Sequence, residues 1–196
     1  MGILLAIRHL ETQDNREQRF SSGDRDVSIL PGQHFAGNMM ATLRKFRKEE
    51  LIIVHTGLRR SIETTVLLMR LLGYLRNPLV VSQFRERFGG ELAGLRFSEL
   101  QQLFPELRSP NQLWGIEASE IGLESVATFL ARVEEGITQV ARLVPAPCIA
   151  IVVAHAGSIK GIKAVLTEKE VDTRKQILCE STPQNQEVVQ FQCGRR

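Results

Sequence analysis

Three short apolar runs in this chain each end in side chains suited to handling an anion. Ile3-Leu4-Leu5-Ala6-Ile7 is followed by Arg8 and His9. Leu51-Ile52-Ile53-Val54 leads to His55 and Thr56, then to Arg59 and Arg60. Ile149 to Ala154 leads to His155. Imidazole exchanges protons and acts as a nucleophile near neutral pH, and guanidinium is a fork of donors matched to phosphate oxygens. The same groups make a poor metal site, because histidines among arginines, without a cysteine or carboxylate cluster, repel a cation. Alone, Arg8-His9 is an ordinary polar pair after a strand. Repetition of the pattern at three strand ends makes a phosphate site the expectation.

About 145 residues separate His9 from His155, so the fold must bring them together. Parallel strands do this by placing their carboxyl ends on one sheet edge, where open α/β sheets bind ligands. Helical patterns alternate with the strands. Pro31-Gly32 is expected to open a helix with Phe35, Met39, Leu43 and Phe46 on one face and His34 as a structural member. Ile62, Val66, Met69 and Leu72 predict the buried face of a second helix, which ends at Gly73. Leu79-Val80-Val81 reads as a strand and Phe97 to Leu103 as a short helix. Gly122 to Leu143 predicts a long helix, with Val126, Phe129, Leu130, Val133, Ile137 and Val140 inward. A further helix follows His155 to about Leu166, and Glu187 to Phe191 reads as a last strand. The fold class expected is α/β, a three-layer α/β/α arrangement with a mostly parallel sheet. Residues 1–196 read as one domain with a lid insertion at about 96–121.

Composition narrows the partners. The 196 residues are 43% hydrophobic and 24% charged, with a formal charge of +3. Arginines are scattered, with no basic stripe and no recognition motif, so no nucleic acid is expected. No apolar run approaches the ~20 residues of a membrane span. Met1 to Ile7 is too short for a signal-peptide core. Cys148, Cys179 and Cys193 lack metal spacing and leave one thiol unpaired, which fits reduced cysteines in a cytoplasmic protein. The helix faces leave monomer and homodimer open.

Five blocks, taken in order, resemble the histidine phosphatase superfamily, the phosphoglycerate mutase-like fold. Arg8-His9-Leu10-Glu11-Thr12-Gln13-Asp14-Asn15 is similar to its Arg-His-Gly-x-Thr-x-x-Asn opening. Thr56 to Thr65, Arg85 to Leu95, Gly122-Leu123-Glu124-Ser125 and His155-Ala156-Gly157 resemble the later motifs. The resemblance implies that His9 attacks phosphorus and becomes phosphohistidine, its other ring nitrogen donating to a backbone carbonyl. It implies that Arg8, Arg60 and His155 hold the phosphate oxygens, and that Glu86 is the proton donor. Register picks Arg60 over Arg59, and spacing from Gly89-Gly90 favours Glu86 over Glu91.

Asn15, Thr56, Arg87 and the Gly157 backbone follow as substrate contacts, with Arg87 equally readable as a surface cation. This chemistry requires no metal and no organic cofactor. The partner implied is a small phosphorylated substrate, and the activity that of a cofactor-independent phosphoric monoester hydrolase. A mutase of the same superfamily is the first alternative, disfavoured because the insertion carries only Arg96 and Arg108, widely separated. A phosphoprotein (phosphohistidine) phosphatase would have a reduced lid. A non-catalytic phosphate-binding protein would have lost a catalytic group. Two positions depart from the pattern: Leu10 stands where the family has glycine, and His55 where it has a small residue. Trp114, Arg87, Arg96 and the Arg16/Arg19/Arg25 loop remain as handles on the substrate.

Overall fold

The computed structural model describes residues 2–192. Its centre is a five-stranded sheet in the order β3-β2-β4-β1-β5, from β1 (Ile3–Arg8), β2 (Leu51–His55), β3 (Leu79–Val80), β4 (Ile149–Ala154) and β5 (Val188–Gln192). β4 lies between β1 and β2, parallel to both, with Arg8 opposite Ala154 and His55 opposite Val153. The three apolar runs therefore end side by side. β5 runs antiparallel to β1, so the sheet is mixed at that edge. Cys193 lies outside the described residues.

Alternate residues of the central strands feed two cores. Leu4, Ala6, Val54, Ala150, Val152 and Ala154 pack with α5 (Val126–Leu143), α6 (Ala156–Thr167) and α7 (Val171–Leu178). Leu5, Ile7, Leu51, Ile53, Ile151 and Val153 pack with α2 (Gly37–Leu43) and α3 (Arg59–Leu72). All six residues of β4 are buried, as a strand covered on both faces requires. The three-layer expectation holds. No helix among the described residues is long and apolar enough to cross a membrane.

Several local expectations change. The helix after Pro31-Gly32 begins only at Gly37, and His34 is an exposed loop residue. Phe35 and Phe46 still pack against the second core from outside that helix. The long helix starts at Val126, where the Ser125 hydroxyl accepts from the Thr128 N–H as an N-cap. Two helices absent from the sequence expectation are present: α1 (Gln13–Arg16) and α7.

The largest change is on α3. Ile62 and Val66 are 38% and 39% exposed, while Arg60, Ser61, Thr64, Thr65 and Leu68 face inward. The hydrophobic period misassigned that face because the first turns of α3 lie against the site, which needs hydrogen-bonding groups rather than methyls. Met69 and Leu72, further along, do pack against the core.

The segment between β3 and α5, containing α4 (Phe97–Leu103), arches over the sheet edge and is tied down by Arg87. Arg87 is no surface cation: its side chain is fully buried. It donates to the carbonyls of Glu124 (2.6 Å), Trp114 (3.1 Å), Leu113 (3.4 Å) and Ile116 (2.8 Å), and lies 3.6 Å from Glu117. One planar fork thus replaces the regular hydrogen bonding that this irregular segment lacks. Arg87→Leu strips those carbonyls of their donor and is expected to cost about 2–4 kcal/mol in urea unfolding. Unchanged stability would contradict this assignment.

Candidate active site

Beneath that arch lies a cavity of about 430 Å³ lined by Arg8, His9, Asn15, Phe20, Glu86 and Trp114, among others. His9 leaves β1 with its backbone N–H on Ala154 O, so the strand register sets its position. It is 3% exposed. Its Nδ1 lies 2.6 Å from Leu10 O, and because a carbonyl only accepts, Nδ1 carries the proton. The lone pair is thereby left on Nε2, on a ring that lines the cavity. Burial, then the charges of Arg60 and Arg8, hold the His9 pKa well below its ordinary value. Both favour the neutral imidazole at His9.

Leu10 sits where the resemblance expects glycine. It is fully buried and is not among the positive-φ residues of the described chain, which apart from glycines are Gln18 and Gln186. A side chain is therefore free of backbone strain there. Its N–H donates to Thr64 Oγ1 at 3.0 Å, and Thr64 passes its own proton to Arg60 O at 2.7 Å.

Arg60 is fully buried. Its N–H groups donate to Arg25 O (2.6 Å), Ser22 O (3.1 Å), Ser21 O (3.2 Å) and His155 Nδ1 (3.1 Å). An arginine only donates, so His155 Nδ1 accepts and its Nε2–H is turned to Thr56 Oγ1 at 2.9 Å. Thr56 in turn meets Ser61 Oγ at 2.9 Å. The His155 ring stands 5.2 Å from the His9 ring, and burial followed by the Arg60 charge depresses its pKa as well.

Arg60, His155 and Thr56 converge on His9, and the hydrogen bonds they make run to the carbonyls of Ser21, Ser22 and Arg25, to Ser61 and to one another. Arg8 lines the cavity: one terminal nitrogen donates to Pro183 O at 2.7 Å, while its Nε is buried without an acceptor among the described residues. Asn15 also lines the cavity, with its Oδ1 accepting from Thr12 N (3.1 Å) and Asn185 Nδ2 (3.3 Å).

Glu86 caps α6. Its carboxyl accepts from the N–H groups of Gly157 (2.9 Å), Ser158 (3.1 Å) and Arg87 (3.1 Å). Burial raises its pKa, opposed by those N–H groups and by Arg60. Gly157 therefore faces Glu86 rather than open cavity, and it must be glycine. A Cβ there would stand 2.4 Å from Glu86 Oε1 and 2.4 Å from the Trp114 ring. Glu91, the alternative acid, is exposed. Arg59 is a solvated helix charge, 63% exposed. His55 lies outside the cavity, its Nδ1 accepting from Gly57 N at 3.1 Å.

Sequence reasoning missed three supports. Asn185 donates to His9 O at 2.7 Å from a segment recognisable only as a turn. Asp14, 2% exposed, grips Arg25 with both oxygens at 2.6 and 2.9 Å and so holds the loop that receives Arg60. Arg132 on α5 pairs with Glu124 at 2.7 Å and donates to the carbonyls of Gln83, Arg85 and Glu86. A charge flanked by Phe129 and Val133 on an otherwise apolar face was the available signal.

Residues 4–194 match the model of the histidine phosphatase superfamily, branch 1. The chain belongs to that superfamily. Solved structures of the same fold include a mycobacterial glucosyl-3-phosphoglycerate phosphatase in complex with VO3. It is 24% identical with a TM-score of 0.76, over 97% of this chain and 92% of that one. A putative alpha-ribazole-5'-P phosphatase from Escherichia coli is 20% identical with a TM-score of 0.73, over 99% and 91%. YhfR of Bacillus stearothermophilus is 19% identical with a TM-score of 0.74, over 96% and 89%. No curated protein matches the chain.

The two pKa shifts set the limbs of a pH profile. His9 has a depressed pKa and stays neutral, hence nucleophilic, until the pH is well below its ordinary value. Glu86 has a raised pKa and can donate a proton only below it, so activity is lost as pH rises through that value. A kcat/KM that falls as pH rises through the raised Glu86 value is expected, with Glu86→Gln losing that alkaline limb and about 10²–10⁴ in rate. An optimum above pH 8 that survives in Glu86→Gln would refute these roles.

Proposed function

We propose that this protein is a cofactor-independent phosphatase that hydrolyses a small phosphomonoester through a phosphohistidine at His9. The observation that carries the reading is the Nδ1–H bond to Leu10 O, which leaves the Nε2 lone pair on a neutral, buried ring at the cavity wall. In the first step His9 Nε2 forms a bond to phosphorus while the bond from phosphorus to the alcohol oxygen breaks. Glu86 gives its proton to that oxygen. In the second step the Glu86 carboxylate takes a proton from water, whose oxygen attacks phosphorus as the N–P bond breaks. Inorganic phosphate leaves and neutral His9 is restored.

Arg8 supports the transferring group from the cavity wall, where its Nε has no acceptor among the described residues. Arg60 contributes charge at short range without leaving its carbonyl partners, and it orients His155 beside the nucleophile. The lid arginines weigh against a mutase. Arg96 pairs with Glu17 at 3.3 Å, Arg108 donates to Pro105 O, and neither lines the cavity.

Turnover of p-nitrophenyl phosphate is expected to fall by at least about 10³-fold in His9→Ala, since the covalent step has no substitute. A phosphorylated substrate should leave a base-stable, acid-labile phosphate on the His9 peptide by mass spectrometry. Activity that persists in His9→Ala would refute the mechanism.

A further inference from the structure

Lys160, on α6, is a buried cation that the phosphate chemistry does not use. It is 3% exposed, and burial pulls its pKa down to about 8, which leaves it an ammonium at neutral pH. Nζ donates to Leu178 O at 3.0 Å and to Asn111 Oδ1 at 3.2 Å, and it stands 5.7 Å from the centre of the Trp114 ring. An ammonium has donors and no acceptor, so Asn111 must present its oxygen to it. The Thr182 hydroxyl donates to that same oxygen.

This arrangement settles which way the Asn111 amide points. Asn111 and Thr182 both line the cavity, whereas Lys160 stays behind them. With Oδ1 held by two donors, the Asn111 Nδ2 group is the part left to serve the cavity. It has no acceptor among the described residues. Thr182 has committed its proton and keeps oxygen lone pairs. A donor beside an acceptor is the complement of an alcohol hydroxyl.

The charge of the cavity wall disfavours a second anion on the substrate. Away from Arg8, the lining cation is Arg19, whose Nε lies 2.8 Å from Glu17 and whose NH1 donates to Gly94 O at 2.9 Å. Its charge is offset by Glu17, and two of its N–H groups are already engaged. A second carboxylate or phosphate on the substrate would meet neutral groups such as Gln18, Ser181 and Gln184, with Phe20 and Trp114 edge to face at 5.8 Å.

We propose that Lys160 is a positioning residue that locks Asn111 as a hydrogen-bond donor, so that Asn111 and Thr182 select phosphomonoesters of an uncharged, hydroxylated alcohol. The proposal deepens the phosphatase reading and rests on it. Steady-state kinetics on three probes test it: glucose 6-phosphate, 3-phosphoglycerate and p-nitrophenyl phosphate. The wild-type chain should prefer glucose 6-phosphate to 3-phosphoglycerate. Lys160→Met frees the amide to turn, and should raise KM for glucose 6-phosphate about tenfold more than for p-nitrophenyl phosphate, roughly one hydrogen bond's worth, with kcat little changed. Lys160→Arg should recover most of that difference.

Asn111→Asp removes the donor without emptying the buried site, and should shift the same KM ratio if Lys160→Met does not fold. Parallel KM changes on the two substrates, a wild-type ratio in Asn111→Asp, or a preference for 3-phosphoglycerate would overturn the subsite alone. A wild-type chain inert toward all three probes would overturn the phosphatase reading and the subsite with it.

Discussion

The hydrogen bond from His9 Nδ1 to the carbonyl of the next residue is the constraint on which the rest of the site depends. A buried imidazole can be a nucleophile only if it is neutral and only if the proton sits on the far nitrogen. The 2.6 Å contact to Leu10 O supplies the second condition. Burial and two neighbouring guanidinium groups supply the first. The Leu10 peptide is itself held, through its N–H, by Thr64 on α3. One residue of the polar inward face of that helix thus holds this peptide plane in place. Leu10 completes the arrangement by burying its side chain without left-handed backbone, so the departure from the family glycine leaves the carbonyl where His9 needs it.

Keeping a cation buried beside that imidazole has its own requirement. An unpaired guanidinium in the interior costs several kcal/mol, which only well-placed acceptors offset. Arg60 meets this with carbonyls of the 21–25 loop and with the His155 ring, and its pKa, lowered to about 10, leaves it charged. That loop is irregular, so it needs an anchor, and the Asp14–Arg25 fork provides one. The long arginine-rich loop is thus chiefly a carbonyl-bearing collar for Arg60. Its own arginines are mostly spoken for: Arg16 by Glu11, Arg19 by Glu17 and Arg25 by Asp14.

How far the sequence could be read depended on whether a feature follows from local pattern or from pairing across the chain. Strand ends were readable because apolar runs are local, and parallel order followed from the alternation with helices. Grouping Arg8, His9, Arg60 and His155 followed from the same logic, whereas Glu86 came from the family resemblance. Their partners did not, because the meeting of Arg60 with loop carbonyls, and of His155 with Arg60 and Thr56, depends on loop geometry that no spacing encodes. Arg87 and Arg132 illustrate the same limit, since a buried arginine that serves several carbonyls looks like a surface charge in one dimension. The inward face of α3 was misread for the opposite reason: the apolar period was present, but Ile62 and Val66 lie on the outer side.

Histidine-selective ¹⁵N NMR of the wild-type chain, followed from pH 7 to pH 5, tests the central claim most directly. The account predicts one histidine, assigned by its disappearance in His9→Gln, that stays neutral across this range with the proton on Nδ1 and a bare Nε2. A His9 resonance that is cationic by pH 6, or neutral with the proton on Nε2, would contradict it.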